Sequence, residues 1–496
     1  MAPVLAVLGL VLACSWSSGL RTVSGRTVVT HLPGFDVLMR ERETPDSRYI
    51  AVDELGEVNL FYYFVKTARS PSKDPLLLWL TGGPGCSSLT GLAYEIGPFG
   101  FDIETYDSGR LPTLIYREES WTRISSIIFL DSPAGTGFSY TKVAEENEWS
   151  DTKASKRLDA FIRKWLVDHP EFISNPFYVA GDSYGGKMVP LATLEIINGS
   201  SLKHTWDVTG YCSTARSVFG NEAGSKPLVN LKGYLVGNPV TSEKRFDEGT
   251  RVEFSHGMGL ISDELYEHGR LTPDSDEGPD KCPPCLRPSH RKSHSASRLA
   301  QLIALKSETK ESCGGDYVTP QNVKCAECLD AVAKNLEGVG ELNILAAYCG
   351  LESLKPKQSA AVDRYLIDLE RNHLSSLRIP RKECWGWISE WTRCRYDMKD
   401  KYTVDVPSAI PYHLNITSRG LRSLVFSGDH DPGISFVGTQ AWIRSLNFSI
   451  VDDWRRWLVN DQVAGYTRTY SNNLTFATVK VRSLLPIFAL YKAQVT

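Results

Sequence analysis

The chain alternates between short apolar runs and longer amphipathic stretches. Residues 57–66, EVNLFYYFVK, are aromatic and β-rich, and residues 76–80, LLLWL, are continuously apolar, as a strand buried on both faces should be. Residues 126–130 and 177–180 repeat that type, and between them residues 153–167 carry apolar positions at a 3.6-residue spacing, which predicts a helix. Residues 421–426 and 474–479 predict further strands near the end. Strand and helix in alternation argue for an open, mostly parallel sheet covered by helices on both faces. From about residue 200 to 400 the pattern changes to one rich in cysteine and charge, with helical stretches at residues 260–267 and 359–372, and reads as an insertion. No internal repeat or heptad pattern is found.

The first residues, MAPVLAVLGLVLACSWSSG, form an apolar run of signal-peptide length ending in small residues, so residues 1–24 are expected to be a cleaved secretory signal. Its apolar stretch, residues 4–13, is shorter than the roughly 20 residues that span a bilayer. Residues 25–496 would then hold one large α/β domain with its insertion.

With 42% hydrophobic and 23% charged residues the composition is that of an ordinary globular protein. A formal charge of -3 is too small to imply a nucleic-acid partner or an acidic coat, and no nucleic-acid partner is expected. Signal removal would take Cys14 with it and leave ten of the eleven cysteines, an even number suited to disulfides in an oxidising compartment. Glycosylation sequons at Asn198, Asn415, Asn447 and Asn473 point the same way. The pairs Cys282/Cys285 and Cys325/Cys328 have zinc-ligand spacing, but disulfides are the preferred reading for secreted thiols, and no metal site is expected.

The candidate chemistry lies at strand ends. Gly181-Asp182-Ser183-Tyr184-Gly185 sits between the strand at 177–180 and an apolar run at 188–197, the setting of a nucleophile elbow. The serine must occupy a sharp turn, and the flanking glycines are needed because a Cβ there would meet a neighbouring strand or helix. Gly82-Gly83-Pro84-Gly85, at the end of the strand 76–80, offers unobstructed backbone N–H groups. Together these predict an oxyanion hole from the N–H groups of Gly83 and Tyr184. Gly428-Asp429-His430-Asp431, after the strand 421–426, is a suitable place for the acid of a catalytic triad, and spacing alone allows either aspartate.

Three segments in order, residues 78–88 (LWLTGGPGCSS), 131–140 (DSPAGTGFSY) and 181–186 (GDSYGG), resemble the serine carboxypeptidase family, and similarity continues through residues 231–239, 257–267 and 402–475. The resemblance implies an α/β-hydrolase fold with a helical insertion over the active site, Ser183 as nucleophile and Asp431 as triad acid. It also implies a disulfide between Cys86 and Cys394, and substrate binding by Thr81, Gly82, Glu95 and Asp182. Family members that act as carboxypeptidases usually carry glutamate before the nucleophile and asparagine before the two glycines. Asp182 and Thr81 stand there instead, and Asp182 resembles the plant acyltransferase-like branch, which moves an acyl group from a glucose ester to an alcohol.

The triad order Ser, Asp, His places the base after Asp431, yet none of the ten histidines follows His430. The family's base lies in a Gly-His-Thr-Ala-Pro-Glu-like segment, where this chain has Val481-Arg482-Ser483-Leu484-Leu485-Pro486-Ile487. Residues 481–496 are therefore read as a non-native ending, such as an unspliced intron opening on the GT of a valine codon. His430, adjacent to the acid in sequence, is poorly placed to bridge acid and serine. Residues 204–225 and 269–311 also interrupt the similarity, the second as a polar run typical of disorder or of a processed linker.

The expected function is acyl hydrolysis or acyl transfer through a Ser183 acyl-enzyme, acting on a small-molecule ester or a peptide, without a cofactor and without a membrane partner once the signal is removed. Serine-type proteolysis and a non-catalytic pocket are the alternatives. The expected location is vacuolar or extracellular, and the sequence does not set the oligomeric state.

Overall fold

The computed structural model describes residues 27–28, 46–101, 114–143, 149–198, 201–206, 212–217, 225–263, 265–266, 308–340, 343–345, 392–399 and 401–480. The expected signal segment, the helix at 359–372, Cys282, Cys285 and residues 481–496 lie outside them.

The predicted strands form one sheet. In chain order its main strands are β1 (Thr27–Val28), β2 (Asp46–Ala51), β3 (Val58–Val65), β4 (Leu76–Leu80), β5 (Ser126–Leu130), β6 (Phe177–Asp182), β7 (Leu231–Gly237), β8 (Arg422–Gly428), β9 (Ile450–Val459), β10 (Gln462–Tyr470) and β11 (Leu474–Val479). Across the sheet the order is β1-β2-β3-β5-β4-β6-β7-β8-β11-β10-β9. The run from β5 to β11 is parallel throughout, and antiparallel strands extend it at both edges.

The continuous apolar runs are explained by burial on both faces. Leu76, Leu78 and Leu80 of β4 enter one core layer, while Leu77 and Trp79 enter the other, because successive side chains point to opposite sides of a strand. The first layer is covered by helices α1 (Asp151–Asp168), α2 (Gly185–Asn198), α4 (Ile410–Thr417) and α5 (Phe436–Ser445), which contribute Phe161, Trp165, Val189, Ile416 and Trp442. A separate helix, α3 (Val323–Asn335), belongs to the insertion. On the second face the helical turn Gly91–Glu95 and the turn bearing Trp121 supply Leu92 and Trp121. Each fully buried Leu or Phe contributes roughly 1.5–3 kcal/mol, so α1 is held by its packing. Ser150 caps it by accepting from Lys153 N–H at 3.3 Å.

Some sequence expectations need correction. The helix placed at 260–267 is only partly present: Arg251–Gly257 is helical, Gly259 follows at φ +70°, residues 260–261 are bends, and residues 263, 265 and 266 are helical. Glycine at positive φ ends a helix without a Cβ penalty, and the apolar spacing beyond it was misread as the helix itself. The interruption at 204–225 contains part of an antiparallel hairpin, Ser201–Trp206 with Cys212–Ser217, where no element was expected. Helix Glu308–Cys313 begins inside the stretch read as polar linker. The zinc alternative fails at Cys325, which is joined to Cys313 in a disulfide, and Cys328 is buried. Among the described residues no group of three or more His, Cys, Asp or Glu could hold a metal ion, and no helix is long and apolar enough to cross a membrane.

Candidate active site

The parallel strands end together, and the candidate residues leave from those C-terminal ends, where open α/β sheets place their ligand crevice. Ser183 follows β6 directly and turns sharply, with φ 53°. Positive φ for a residue with a Cβ costs on the order of 1–3 kcal/mol, so neighbours must hold it. Ser183 N–H donates to Gly237 O at 3.0 Å, and Val240 N–H and Gly186 N–H donate to Ser183 O, both at 2.9 Å.

The glycines around the elbow are required by space. A Cβ on Gly181 would lie 2.3 Å from Leu80 O, one on Gly185 would lie 3.1 Å from the same atom, and one on Gly186 would lie 2.4 Å from Pro239 Cβ. The elbow is therefore pressed against the end of β4 and the segment after β7.

The loop after β4 reaches the serine. A Cβ on Gly82 would meet Ser183 Cβ at 2.6 Å and Tyr184 N at 2.9 Å. Gly83, at φ 122°, turns the chain so that Cys86 N–H can donate to Gly82 O at 3.3 Å. Among the described residues the N–H groups of Gly83 and Tyr184 have no protein acceptor. Two unengaged amides on two segments in contact at the nucleophile can receive a developing oxyanion.

Asp131, missed from the sequence, organises this loop. Its carboxylate accepts Ser87 Oγ–H at 2.7 Å, Ser88 N–H at 2.8 Å and Phe138 N–H at 3.0 Å. The nearest sequence signal is its place at the end of β5, inside the segment 131–140. The disulfide between Cys86 and Cys394 is present, and Ser87 N–H donates to Arg393 O at 2.8 Å, so the far end of the insertion is fastened to the loop.

Thr81, Gly82, Glu95 and Asp182 come together beside the serine. Gly82 N–H donates to Asp182 Oδ1 at 3.3 Å, and Thr81 Oγ1 accepts Trp79 Nε1–H at 3.1 Å. Burial pushes Asp182 up to about 6 and holds Glu95 well above the usual carboxylate range, where the neighbouring Asp182 charge adds to the effect. Glu95 Oε2 is sequestered without a hydrogen-bond partner among the described residues. Burial thus favours the neutral form of both acids, against the opposing charge of Arg393. A small cavity lies between Gly82, Tyr184 and Tyr402 on one side and Ala154 and Leu158 of α1 on the other.

Asp431 lies in the turn after β8. Its Oδ1 accepts Gly433 N–H at 2.8 Å and Ile434 N–H at 3.1 Å, while burial pushes its carboxyl up to about 6 against these bonds and one from Asn238. Asn238, also missed, ties the end of β7 to the turn that carries Asp431: it follows Gly237, accepts Gly428 N–H at 3.1 Å and donates to Ile434 O at 3.1 Å. Its φ of 38° is the αL conformation that asparagine tolerates.

Four histidine rings have described neighbours. His430 Nδ1 is 3.1 Å from Asp429 Oδ1, His256 Nε2 is 2.7 Å from Asp263, and His169 stacks on Trp165 at 3.9 Å. His413 receives Tyr234 Oη–H at 2.7 Å on Nδ1 and donates from Nε2 to Gly186 O at 3.2 Å, and burial lowers it to about 4, so it is a neutral core support under α2.

Known proteins resemble this chain in sequence and in fold. The family model described as serine carboxypeptidase matches residues 33–482. Serine carboxypeptidase-like 5 of Arabidopsis thaliana is 40% identical over 463 residues, covering 92% of this chain and 88% of the relative. Serine carboxypeptidase-like 16 of the same plant is 42% identical over 457 residues, again covering 92% and 88%. Among solved structures, a prohormone-processing carboxypeptidase from Saccharomyces cerevisiae superposes with a TM-score of 0.65 at 19% identity, covering 94% of this chain and 92% of that one, which bears on the fold alone.

Proposed function

The chain belongs to the serine carboxypeptidase family, and from that premise we propose that its site is built for acyl transfer through Ser183, with an acyl ester of glucose as donor and an alcohol as acceptor. The observation that carries the reading is the packing of Gly82 against Ser183, which sets two unengaged amides, those of Gly83 and Tyr184, around the nucleophile.

In the first half-reaction the Ser183 Oγ–C bond forms and the ester C–O bond breaks, and the sugar oxygen leaves with a proton. In the second, an alcohol oxygen bonds to the acyl carbon, the Ser183 Oγ–C bond breaks and the proton returns to Oγ. Water in place of the alcohol gives hydrolysis. Support for a sugar ester over a peptide comes from Asp182 and Thr81, where carboxypeptidases of the family usually carry glutamate and asparagine. The buried Asp182 and Glu95 carboxyls suit hydrogen bonding to the hydroxyls of a sugar.

Asp431 is proposed as the acid that would orient an imidazole base. Residues 432–496 contain no histidine, and loss of the triad base lowers turnover about a millionfold while leaving the oxyanion hole intact. The chain as written is thus expected to react slowly at Ser183. Disulfides fit an oxidising secretory compartment.

The test is labelling of the full chain by a fluorophosphonate, in which the Ser183 Oγ–P bond forms and fluoride leaves. Labelling that Ser183→Ala abolishes and that exogenous imidazole accelerates is the expected result. A folded sample that never labels, with or without imidazole, overturns the reading. Transfer from a glucose ester faster than hydrolysis of a blocked dipeptide supports the donor class, and the reverse order overturns it.

A further inference from the structure

Behind the elbow lies a buried polar network that the acyl-transfer chemistry does not itself require. Asp151, the first residue of α1, and Lys187, in the first turn of α2, are both fully buried, with Lys187 Nζ 2.7 Å from Asp151 Oδ2. The same carboxylate accepts Tyr184 Oη–H at 2.7 Å and Tyr402 Oη–H at 3.1 Å on Oδ1, and Val406 N–H at 3.2 Å on Oδ2. Lys187 Nζ also stands 5.5 Å from the centre of the Tyr184 ring, and the Tyr402 ring meets Tyr184 edge-on at 5.8 Å. Burial and the adjacent Asp151 charge raise both phenols, so they remain protonated donors.

Taking a lysine and an aspartate out of water opposes folding, and a well-packed apolar pair of similar volume is often at least as stable. Stability alone therefore gives little reason for charge here. What the pair does that apolar side chains could not is hold the phenol of Tyr184, the residue whose backbone N–H faces the nucleophile. Tyr402 extends the hold to the returning segment 393–406. That segment grips the other half of the hole as well: Arg395 N–H donates to Gly85 O at 2.9 Å, Ser87 N–H donates to Arg393 O at 2.8 Å, and Cys394 is bonded to Cys86.

We propose that Asp151 and Lys187 are positioning residues for the oxyanion hole: they lock Tyr184 and, through Tyr402, tie its amide to the same segment that holds the Gly83 loop. The two donors, carried on different strands, thereby keep a constant separation. The proposal deepens the acyl-transfer reading and rests on it for its catalytic consequence, whereas the mechanical coupling stands by itself.

The experiment uses the full chain, Tyr402→Phe, and the double variant Asp151→Asn with Lys187→Met, which avoids stranding one buried charge. Phosphonylation by a fluorophosphonate is resolved into a binding constant and a maximal rate. Negative charge grows on the phosphonyl oxygen only in the transition state, so the maximal rate is expected to fall about threefold for Tyr402→Phe and about tenfold for the double variant, with the binding constant within about twofold. Variants that melt earlier but react at the parental maximal rate would show a purely structural role and overturn the proposal. If the folded parent chain does not label at Ser183 even with imidazole added, the acyl-transfer reading fails separately. Amide hydrogen exchange then decides the coupling: exchange at Ser87, Gly186 and Arg395 should accelerate about tenfold or more in the double variant. Exchange there at the parental rate, beside a change confined to Val406, overturns it.

Discussion

Gly82 and Ser183 touch: any side chain on Gly82 would begin 2.6 Å from the Cβ of the serine. Such a contact has no flexible partner to yield, because Tyr184 N and Asp182 O crowd the same point at 2.9 and 3.0 Å. Overpacking of this kind costs typically about 1–3 kcal/mol, taken up by moving the loop away from the elbow. Gly82→Ala is therefore expected to leave a folded protein, seen by circular dichroism, whose Ser183 labelling falls at least about a hundredfold, the cost of losing one oxyanion donor. Labelling at the parental rate would show that the loop does not form the hole.

The Cys86–Cys394 bridge joins positions 308 residues apart and fastens the returning end of the insertion to the glycine loop. Removing a native disulfide costs about 2–5 kcal/mol. Replacing both cysteines with serine should lower the urea midpoint accordingly, and should slow Ser183 labelling even at temperatures where the variant is fully folded. A change in midpoint with no change in labelling would separate the bridge from the site.

Stability should depend on pH in a stated direction. Burial raises Asp131, Asp182, Asp247 and Asp431 each to about 6. The folded state then holds more protons than the unfolded chain between about pH 4 and 6, so this stabilisation is full below about 4 and is lost as pH rises through 6, by roughly 1–3 kcal/mol for each group. His413 works oppositely: lowered to about 4, it contributes stability above its ordinary value of 6.5 that is lost as pH falls toward 4. Four carboxyls outweigh one imidazole, and urea unfolding at pH 4.5, 5.5 and 7 should give a free energy that declines with pH. A free energy that climbs across this window would mean that these carboxyls are ionised in the folded protein throughout.

The sequons share one pole. Asn473 immediately precedes β11, Asn447 follows α5 and Asn198 ends α2. Asn198 Oδ1 and Asn415 Oδ1 both accept from Arg419, at 2.8 and 3.0 Å, and Asn473 Nδ2 donates to Gly420 O at 2.9 Å. This end holds the starts of β8 and β11, opposite the strand ends that carry Ser183 and Asp431. Secretory expression should add glycans removable by a peptide N-glycosidase, read by mass, and converting all four asparagines to glutamine should leave the rate of Ser183 labelling within about twofold. A large loss of labelling in a folded quadruple variant would show that the pole and the site are coupled.

Much of the architecture was legible because a parallel sheet buries both faces of its strands: LLLWL at β4 and SIIFL at β5 have no other soluble destination. The elbow and the glycine loop were legible because a strained turn and a close backbone approach each demand glycine at particular positions. The edge hairpin β9–β10 was not, since β9 is largely exposed and its sequence, IVDDWRRWLV, carries no clean alternation. Asp151, Lys187 and Tyr402 gave no signal either. Read locally, they are a helix-start acid, a surface-type lysine and a loop tyrosine, and only the fold brings 151, 187 and 402 to one buried point.

The sequence by itself determined the order along the chain of the strand ends, the elbow bearing Ser183, the glycine loop and the Asp431 turn, because each is written in consecutive residues whose local backbone demands are strict. The tertiary structure alone decided what holds those pieces in register: Asn238 between β7 and the Asp431 turn, Asp131 on the loop, and a buried ion pair behind Tyr184. Such partners are chosen by distance in space and by the need to satisfy buried charge, and neither leaves a local imprint on the chain.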